Sequence, residues 1–164
     1  MHVEGAPDRL RRLPSWLIGQ LNAAARRTVG QVLGAHDLHR SQYALLAALE
    51  QFGPQSQAQL SERSGLDRSD VVGWVDELSG RRLLRRDPDP EDRRRNVISI
   101  NTAGKRLLNR LDLELVQAQH QLLAALSVPE QRQLIGLLTK ALGAEAADGA
   151  LDGAAPVIPD RRWH

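Results

Sequence analysis

Four residues at the start of one predicted helix carry chemistry that can read the edges of DNA bases: Arg68, Ser69, Asp70 and Gly73. An arginine can donate two hydrogen bonds to one guanine, a serine reads bases less selectively, and an aspartate can accept from the amino group of cytosine. Gly73 has no side chain, so the helix could approach a groove closely there. Asp70 has an equally good structural explanation, because a carboxylate in the first turn stabilises the helix dipole.

Two neighbouring segments could bind the phosphate backbone. Three polar residues open the preceding predicted helix, where side chains and free N–H groups can hold phosphates: Ser56, Gln57 and Gln59. Arg93, Arg94 and Arg95 form a basic run, and phosphate contacts depend on local charge rather than on net charge. Successive side chains of a strand point to opposite faces, so these three arginines cannot all face DNA. A solvated, arginine-rich hairpin is the alternative interpretation of this run taken alone.

A helix-turn-helix pattern positions these residues. The first helix is predicted over residues 57–64, and Gly65 can adopt the positive φ that ends it. Asp67 is the predicted N-cap of the second helix, because its carboxylate can accept from unpaired backbone N–H groups. The second helix has an apolar face at helical spacing, formed by Val71, Trp74, Val75 and Leu78. We therefore expect Trp74 to lie in the core rather than to stack on bases.

Two apolar runs flank a loop that is rich in proline and aspartate. The first strand begins with Leu83, and the second covers residues 97–100. Residues 87–92 are predicted to form only turn or loop. Pro88 and Pro90 are expected outside both strands, because a proline cannot donate to a strand ladder. A helix-turn-helix followed by a basic hairpin is typical of a winged helix, a DNA-binding module.

The residues from Leu83 to Gly104 resemble the MarR family of bacterial transcriptional regulators. The resemblance rests on the arginine-rich first strand, on Asp92-Arg93-Arg94, on Ile98-Ser99-Ile100 and on Asn101-Thr102-Ala103-Gly104 at a helix start. It extends over roughly residues 13–142. Residues 1–12 and 143–164, which flank it, are expected to form an irregular arm and a flexible tail.

The resemblance implies a mainly α fold with a small β-hairpin. A winged helix-turn-helix over about residues 41–100 would lie between dimerisation helices at residues 13–35 and 102–142. Members of the family are homodimers, and many are repressors that phenolic or lipophilic small molecules release from DNA. We therefore expect a homodimeric repressor of a pseudo-palindromic operator in double-stranded DNA. By the same resemblance, Arg94 would enter a minor groove, and Asp92 would pair with a neighbouring arginine.

The flanking helices favour a dimer independently of the resemblance. Residues 13–35 and 102–142 carry long apolar stripes, and a single winged helix offers little surface to cover them. Pairing of these helices around a two-fold axis would bury the stripes, whereas an intramolecular helical bundle is the alternative. Ser41 and Thr102 are predicted helix N-caps, and Pro129 is predicted in the first turn of the last helix.

Candidate effector-binding residues lie near the junction of the first two long helices. They combine ring surfaces with polar tips: Trp16, His36, His39, Arg40 and Tyr43. Core packing or surface solvation is the alternative for each of them. The spacing of His36 and His39 could suit a metal, but a metal site needs further ligands and the chain has no cysteine. We therefore predict neither a metal nor another cofactor.

The composition bears on several classes of function. The chain has 164 residues, a net charge of +2 and no cysteine, which removes disulfides, thiolate metal sites and thiol-based redox sensing. No apolar run reaches the ~18 residues of a membrane span and no signal-peptide core is present, so a cytoplasmic location is expected. The sequence contains no phosphate-binding glycine loop or nucleophile elbow, which favours a regulator over an enzyme. The alternative function is an architectural or non-ligand-responsive DNA-binding protein.

Overall fold

The computed structural model describes residues 5–89 and 96–143, which form helices and one antiparallel hairpin. The predicted mainly α fold is therefore confirmed. None of the described helices is long and apolar enough to cross a membrane. Predictions for residues 1–4, 90–95 and 144–164 lie outside the described residues. The elements are α1 (Asp8–Arg11), α2 (Pro14–Gly34), α3 (Arg40–Phe52), α4 (Gln57–Ser64), α5 (Arg68–Gly80), β1 (Leu84–Pro88), β2 (Asn96–Ile100), α6 (Thr102–Leu122) and α7 (Val128–Ala141).

The described residues fall into two compact units. The central unit contains residues 26–114, and the terminal unit contains residues 5–25 and 115–143. The central unit has a closed apolar core to which α3, α4, α5, β2 and α6 all contribute. Its most deeply buried side chains are Leu33, Leu45, Leu46, Leu49, Leu60, Val71, Val75, Leu78, Ile98 and Leu111.

The hairpin contacts the rest of the central unit through Gln55 and through Gly104. Strands β1 and β2 pair with Leu84 opposite Ile100, and Gln55 extends the sheet by exchanging two backbone hydrogen bonds with Ile98, at 2.9 and 2.8 Å. At the start of α6, Gly104 lies so close to the hairpin that a Cβ would stand 2.4 Å from the carbonyl oxygen of Leu83. Only a glycine fits this contact. The hairpin is therefore fixed against α6.

Polar contacts order the turn between α6 and α7 in the terminal unit. The Ser127 hydroxyl donates to the carboxylate of Glu130 in a capping box, and these hydrogen bonds lower the pKa of Glu130. The amide of the buried Gln131 donates to the carbonyl oxygens of Leu123 and Leu126, at 3.2 and 3.0 Å. Pro129 lies in the first turn of α7, as predicted.

Two predicted helix starts and the prediction of an irregular N-terminal arm are wrong. Helix α3 is capped by His39 instead of Ser41, because the His39 ring accepts from the N–H of Ser41 while its own N–H donates to Gln42. Helix α6 is capped by Asn101 instead of Thr102, since the Asn101 side chain accepts from the N–H groups of the next turn. The expected irregular arm contains α1, in which Arg11 and Asp8 form an ion pair.

The predicted exclusion of Asp87 and Pro88 from the strands is also wrong. Strand β1 extends to Pro88, which stands opposite Asn96 in the last pair of the ladder, next to the pair of Asp87 with Val97. A two-stranded hairpin consists of two edge strands, so a proline at the terminal pair disrupts no second neighbour. Pro90 lies outside the described residues.

Candidate nucleic-acid interface

The helix-turn-helix forms with the predicted bounds. Helix α4 covers Gln57–Ser64, and Gly65 follows it with a φ of 66°, in the left-handed region. The Ser61 hydroxyl donates to the carbonyl oxygen of Leu66 at 2.6 Å and closes the turn. Leu60 is fully buried and anchors α4 to the core of the central unit. The turn thus sets α5 at a fixed angle to α4.

The N-terminus of α4 belongs to a capping box. Ser56 is the N-cap, its hydroxyl accepts from the N–H of Gln59 at 3.3 Å, and the Gln59 side chain accepts from the N–H of Ser56 at 2.9 Å. Both side chains therefore order the helix start. The predicted phosphate contacts of Ser56, Gln57 and Gln59 remain predictions, and for two of the three the cap is a structural role in its own right.

Helix α5 presents the expected polar face. Asp67 occupies the N-cap position with extended backbone angles, but its carboxylate makes no capping hydrogen bond, so that part of the prediction is wrong. The apolar side of the helix is buried through Val71, Val75 and Leu78. The four predicted base-reading residues are all exposed: Arg68, Ser69, Asp70 and Gly73. Their contacts with DNA stay a prediction.

The expectation for Trp74 is wrong in part. Trp74 is only half-buried, and its ring stacks on that of His39, with centroids 5.0 Å apart and planes 7° from parallel. Trp74 has the helical spacing of the apolar face of α5 but lies at the edge of that face, where the His39 ring covers it. This stack connects α5 with the residue that caps α3.

Two further contacts hold the inner side of α5 to the loop and helix that precede it. The Gln42 amide donates to the carboxylate of Glu77 at 2.9 Å. The Arg81 guanidinium donates to the carbonyl oxygens of Asp37, at 2.6 Å, and of His36, at 2.9 Å. None of these contacts was predicted. The buried Gln42 within the otherwise apolar face of α3 was the available signal, because a buried amide requires partners.

Helix α6 holds the same junction from another direction. The His36 ring forms a hydrogen bond with Glu114 at 2.8 Å, and the Tyr43 hydroxyl donates to Asp112 at 2.8 Å. Burial raises the pKa of Tyr43, and the hydrogen bond to Asp112 and the charge of that carboxylate raise it further.

The predicted effector residues are only partly brought together. We use the name junction for residues 36–43, which include His36, His39, Arg40 and Tyr43. Trp16 is half-buried and belongs to the terminal unit. Both histidines already have partners, and no group of three metal-binding side chains occurs within residues 5–89 and 96–143. Ligand binding by these residues stays a prediction.

The hairpin carries paired arginines on its first strand. Arg86 forms an ion pair with Asp76 of α5, and Arg85 forms one with Asp87 at 2.6 Å. The Arg86 contact joins the hairpin to α5. The predicted wing contacts, which involve Asp92, Arg93, Arg94 and Arg95, lie outside the described residues.

The class of the protein follows from this arrangement. Two helices meet at a tight turn, the second exposes small and polar side chains, and an antiparallel hairpin follows and contacts it. This is a winged helix-turn-helix, in which the second helix is the recognition helix.

Comparisons with known proteins identify the family. A sequence model described as the MarR family matches residues 38–95. The HTH-type transcriptional repressor NicR of Pseudomonas putida is 30% identical over 108 residues, which are 66% of this chain and 68% of NicR. The HTH-type transcriptional regulator YxaD of Bacillus subtilis is 32% identical over 104 residues, 63% of this chain and 73% of YxaD.

A solved structure agrees with the sequence comparisons. The PcaV transcriptional regulator of Streptomyces coelicolor, in complex with its natural ligand, is 30% identical, with a TM-score of 0.69 over 85% of this chain and 98% of PcaV. The chain belongs to the MarR family of transcriptional regulators, which are DNA-binding winged-helix proteins.

Proposed function

We propose that the protein is a homodimeric repressor that binds a pseudo-palindromic operator and releases it when a phenolic or lipophilic ligand binds. The observation that carries this proposal is the position of α5. Its outer face is exposed, while Trp74 and Glu77 of the helix and Arg81 at its end contact the junction. The helix is thus available to DNA on one side and held by the candidate effector residues on the other.

DNA binding is supported by the chemistry of the exposed face. Arg68 can bind a guanine through two hydrogen bonds, and Ser69 and Asp70 offer a donor and acceptors beside it. Asp76 lies two turns after Arg68 on the same side of α5, and its carboxylate forms an ion pair with Arg86. An exposed carboxylate near a phosphate backbone opposes binding, and a paired one opposes it less. Arg94 remains the wing residue that we expect in a minor groove.

The homodimer is supported by the apolar surface of the terminal unit. Leu17 and Ile18 of α2 and Ile135 and Leu137 of α7 are exposed in the single chain. Exposed apolar side chains on these helices favour burial against a second copy, which would be related by a two-fold axis. A two-fold axis also presents two recognition helices to half-sites roughly one DNA turn apart, about 34 Å.

Ligand control is supported by the contacts of the junction. His36 and Tyr43 are bonded to carboxylates of α6, whereas the His36 carbonyl is bonded to Arg81 at the end of α5. A ligand that takes the place of either carboxylate would change what holds the junction, and through Arg81 what holds α5. Such a ligand weakens DNA binding only if it prefers a protein conformation that fits the operator poorly. The repressor role is proposed by analogy with NicR, which is named a transcriptional repressor.

The test is a titration of operator DNA, isolated by binding the protein to fragments of its own genome. We expect Arg68→Ala to bind all variants of the operator with more nearly equal affinity, because one base contact is lost. We expect Arg94→Ala to weaken binding to every sequence and to reduce the salt dependence by about one phosphate contact. Glu50→Ala, on the surface of the central unit, is the matched control with unchanged binding.

The same titration is repeated with a panel of hydroxylated aromatic acids and lipophilic phenols. At least one compound should lower operator affinity roughly fivefold or more, the range of a genuine coupling between two sites. Wild-type binding by both arginine variants at all salt concentrations would refute the assigned DNA face. A long footprint without sequence preference would instead identify an architectural protein.

A further inference from the structure

The outer face of α5 contains one apolar residue among its polar ones. Val72 is 43% exposed, although the residues Val71 and Val75 beside it in the helix are fully buried. Residues four positions apart lie on one stripe of a helix, so Val72 lies between Arg68 and Asp76. It therefore occupies the centre of the face that would enter a DNA groove.

The two carboxylates in the turn that follows Val72 both have partners. Of the carboxylates in the next turn, Asp76 is paired with Arg86 and Glu77 accepts from Gln42 at 2.9 Å. A single exposed valine needs no special explanation on an ordinary surface. Its place at the centre of a binding face, beside a carboxylate that is already paired with Arg86, is what distinguishes Val72.

Gly73 supplies an independent observation. A Cβ at this position would meet no atom within 4 Å, so no contact within the described chain requires a glycine there. A glycine inside a helix destabilises it relative to alanine. Gly104 shows the opposite case, because a Cβ there would collide with the hairpin. The bare surface at Gly73 lets another molecule approach the helix backbone beside Val72.

We propose that Val72 is a specificity-determining residue that packs against the 5-methyl group of a thymine in the major groove, with Gly73 allowing the close approach. The thymine methyl is the one apolar group that base pairs present in that groove, and aliphatic side chains recognise it by contact. This inference rests on the proposed function, because it requires α5 to be the helix that enters the groove.

The test removes the methyl group from the DNA. Each thymine of the operator half-site is replaced in turn by deoxyuridine, which lacks only the 5-methyl group, and affinities are measured for the wild type and for Val72→Ala. The wild type should lose about fourfold in affinity at one thymine per half-site, the factor expected for one buried methyl group. Val72→Ala should bind the thymine operator more weakly and show no further loss at that position.

A second pair of variants separates binding from folding. Gly73→Ala should raise the melting temperature, because the added methyl group meets no atom and favours the helix, and should lower operator affinity. Gly80→Ala is the matched control on the same helix, where a Cβ is also unobstructed, and it should leave operator affinity unchanged.

The outcomes distinguish this inference from the proposed function. If uracil substitution weakens the wild type and Val72→Ala equally, or weakens neither, Val72 does not read a methyl group, even though the protein still recognises its operator. If Gly73→Ala binds the operator as the wild type does, the proposed close approach of DNA to the α5 backbone at Gly73 is wrong. If the wild type shows no preference for any sequence, the proposed function itself fails.

Discussion

The central unit and the terminal unit differ in how they bury apolar side chains. In the central unit, leucines, valines and an isoleucine from six elements meet in one core and are almost completely buried. In the terminal unit, α2 and α7 leave large apolar side chains exposed, and Leu115 is its one large apolar side chain that the described residues bury. Both units are built from leucine-rich helices, so composition does not explain the difference.

The difference separates what one chain can stabilise alone from what needs a partner. A unit that buries its apolar surface internally gains the hydrophobic free energy without association. A unit that leaves such surface exposed gains it only by binding another molecule. We infer that the central unit is stable as a folded scaffold and that the terminal unit completes its burial in the dimer.

The largest expected effect tests the core of the central unit. Leu46 is 0% exposed, so Leu46→Ala should lower the free energy of unfolding by about 2–5 kcal/mol. Leu142 in the terminal unit is 84% exposed in the single chain, and Leu142→Ala should change the free energy of unfolding of the monomer by less than about 0.5 kcal/mol. Urea unfolding followed by tryptophan fluorescence measures both values. Equal losses in the two variants would break the comparison.

The second prediction tests the exposed surface of the terminal unit. Leu137 is 58% exposed, and Leu137→Glu should weaken the homodimer at least about a hundredfold, because an unpaired charge buried in an interface costs several kcal/mol. Sedimentation over a range of protein concentrations measures the dissociation constant. Val72→Glu makes the same change on the exposed apolar surface of the central unit and should leave the dimer intact while abolishing operator binding. A monomeric wild-type protein would contradict the inference.

The smallest expected effect tests a polar contact of the central unit. Tyr43→Phe removes the hydrogen bond to Asp112 and should lower the free energy of unfolding by about 1 kcal/mol near neutral pH. The pKa of Tyr43 is raised in the folded protein, so the fold favours the protonated phenol. The stability that the protonated phenol contributes is fully present below about pH 10, the ordinary pKa of tyrosine, and is lost as the pH rises above it.

The pH dependence gives this third prediction its control. The difference in unfolding free energy between the wild type and Tyr43→Phe should shrink above about pH 10. Asp112→Asn keeps an acceptor for the phenol and should destabilise the protein less than Tyr43→Phe does. Tyr43 is the one tyrosine of the chain, so the absorbance of tyrosinate reports its ionisation directly. Ionisation at the ordinary pKa would show that Tyr43 is neither buried nor bonded to Asp112 in solution.

Much of the candidate site could be predicted because it depends on neighbours along the chain. The bounds of α4, the left-handed Gly65 and the exposure of Arg68 and Gly73 on α5 follow from helical periodicity and from the conformational freedom of glycine. The hairpin follows from two apolar runs around a proline-rich loop. These features need no knowledge of which elements pack together.

The errors occurred where a distant element decided between local options. Ser41 was a suitable cap for α3, but His39 takes that position and also stacks on Trp74 of α5. Trp74 has the register of a core residue, yet it lies at the edge of the core under the His39 ring. Pro88 belongs to β1 because, among the described residues, no third strand pairs with β1 beside its terminal pair. Local patterns could not decide these cases, since each depended on a partner elsewhere in the chain.

The sequence by itself determined the recognition helix, its polar face and the family, because periodicity and motif spacing are properties of consecutive residues. Only the tertiary structure decided what holds that helix. The contacts of Gln42 with Glu77 and of Arg81 with the His36 and Asp37 carbonyls join residues far apart in the chain. So does the close approach of Gly104 to Leu83. Hydrogen bonds and van der Waals contacts act over about 3–4 Å, so they form only after packing has brought their partners together.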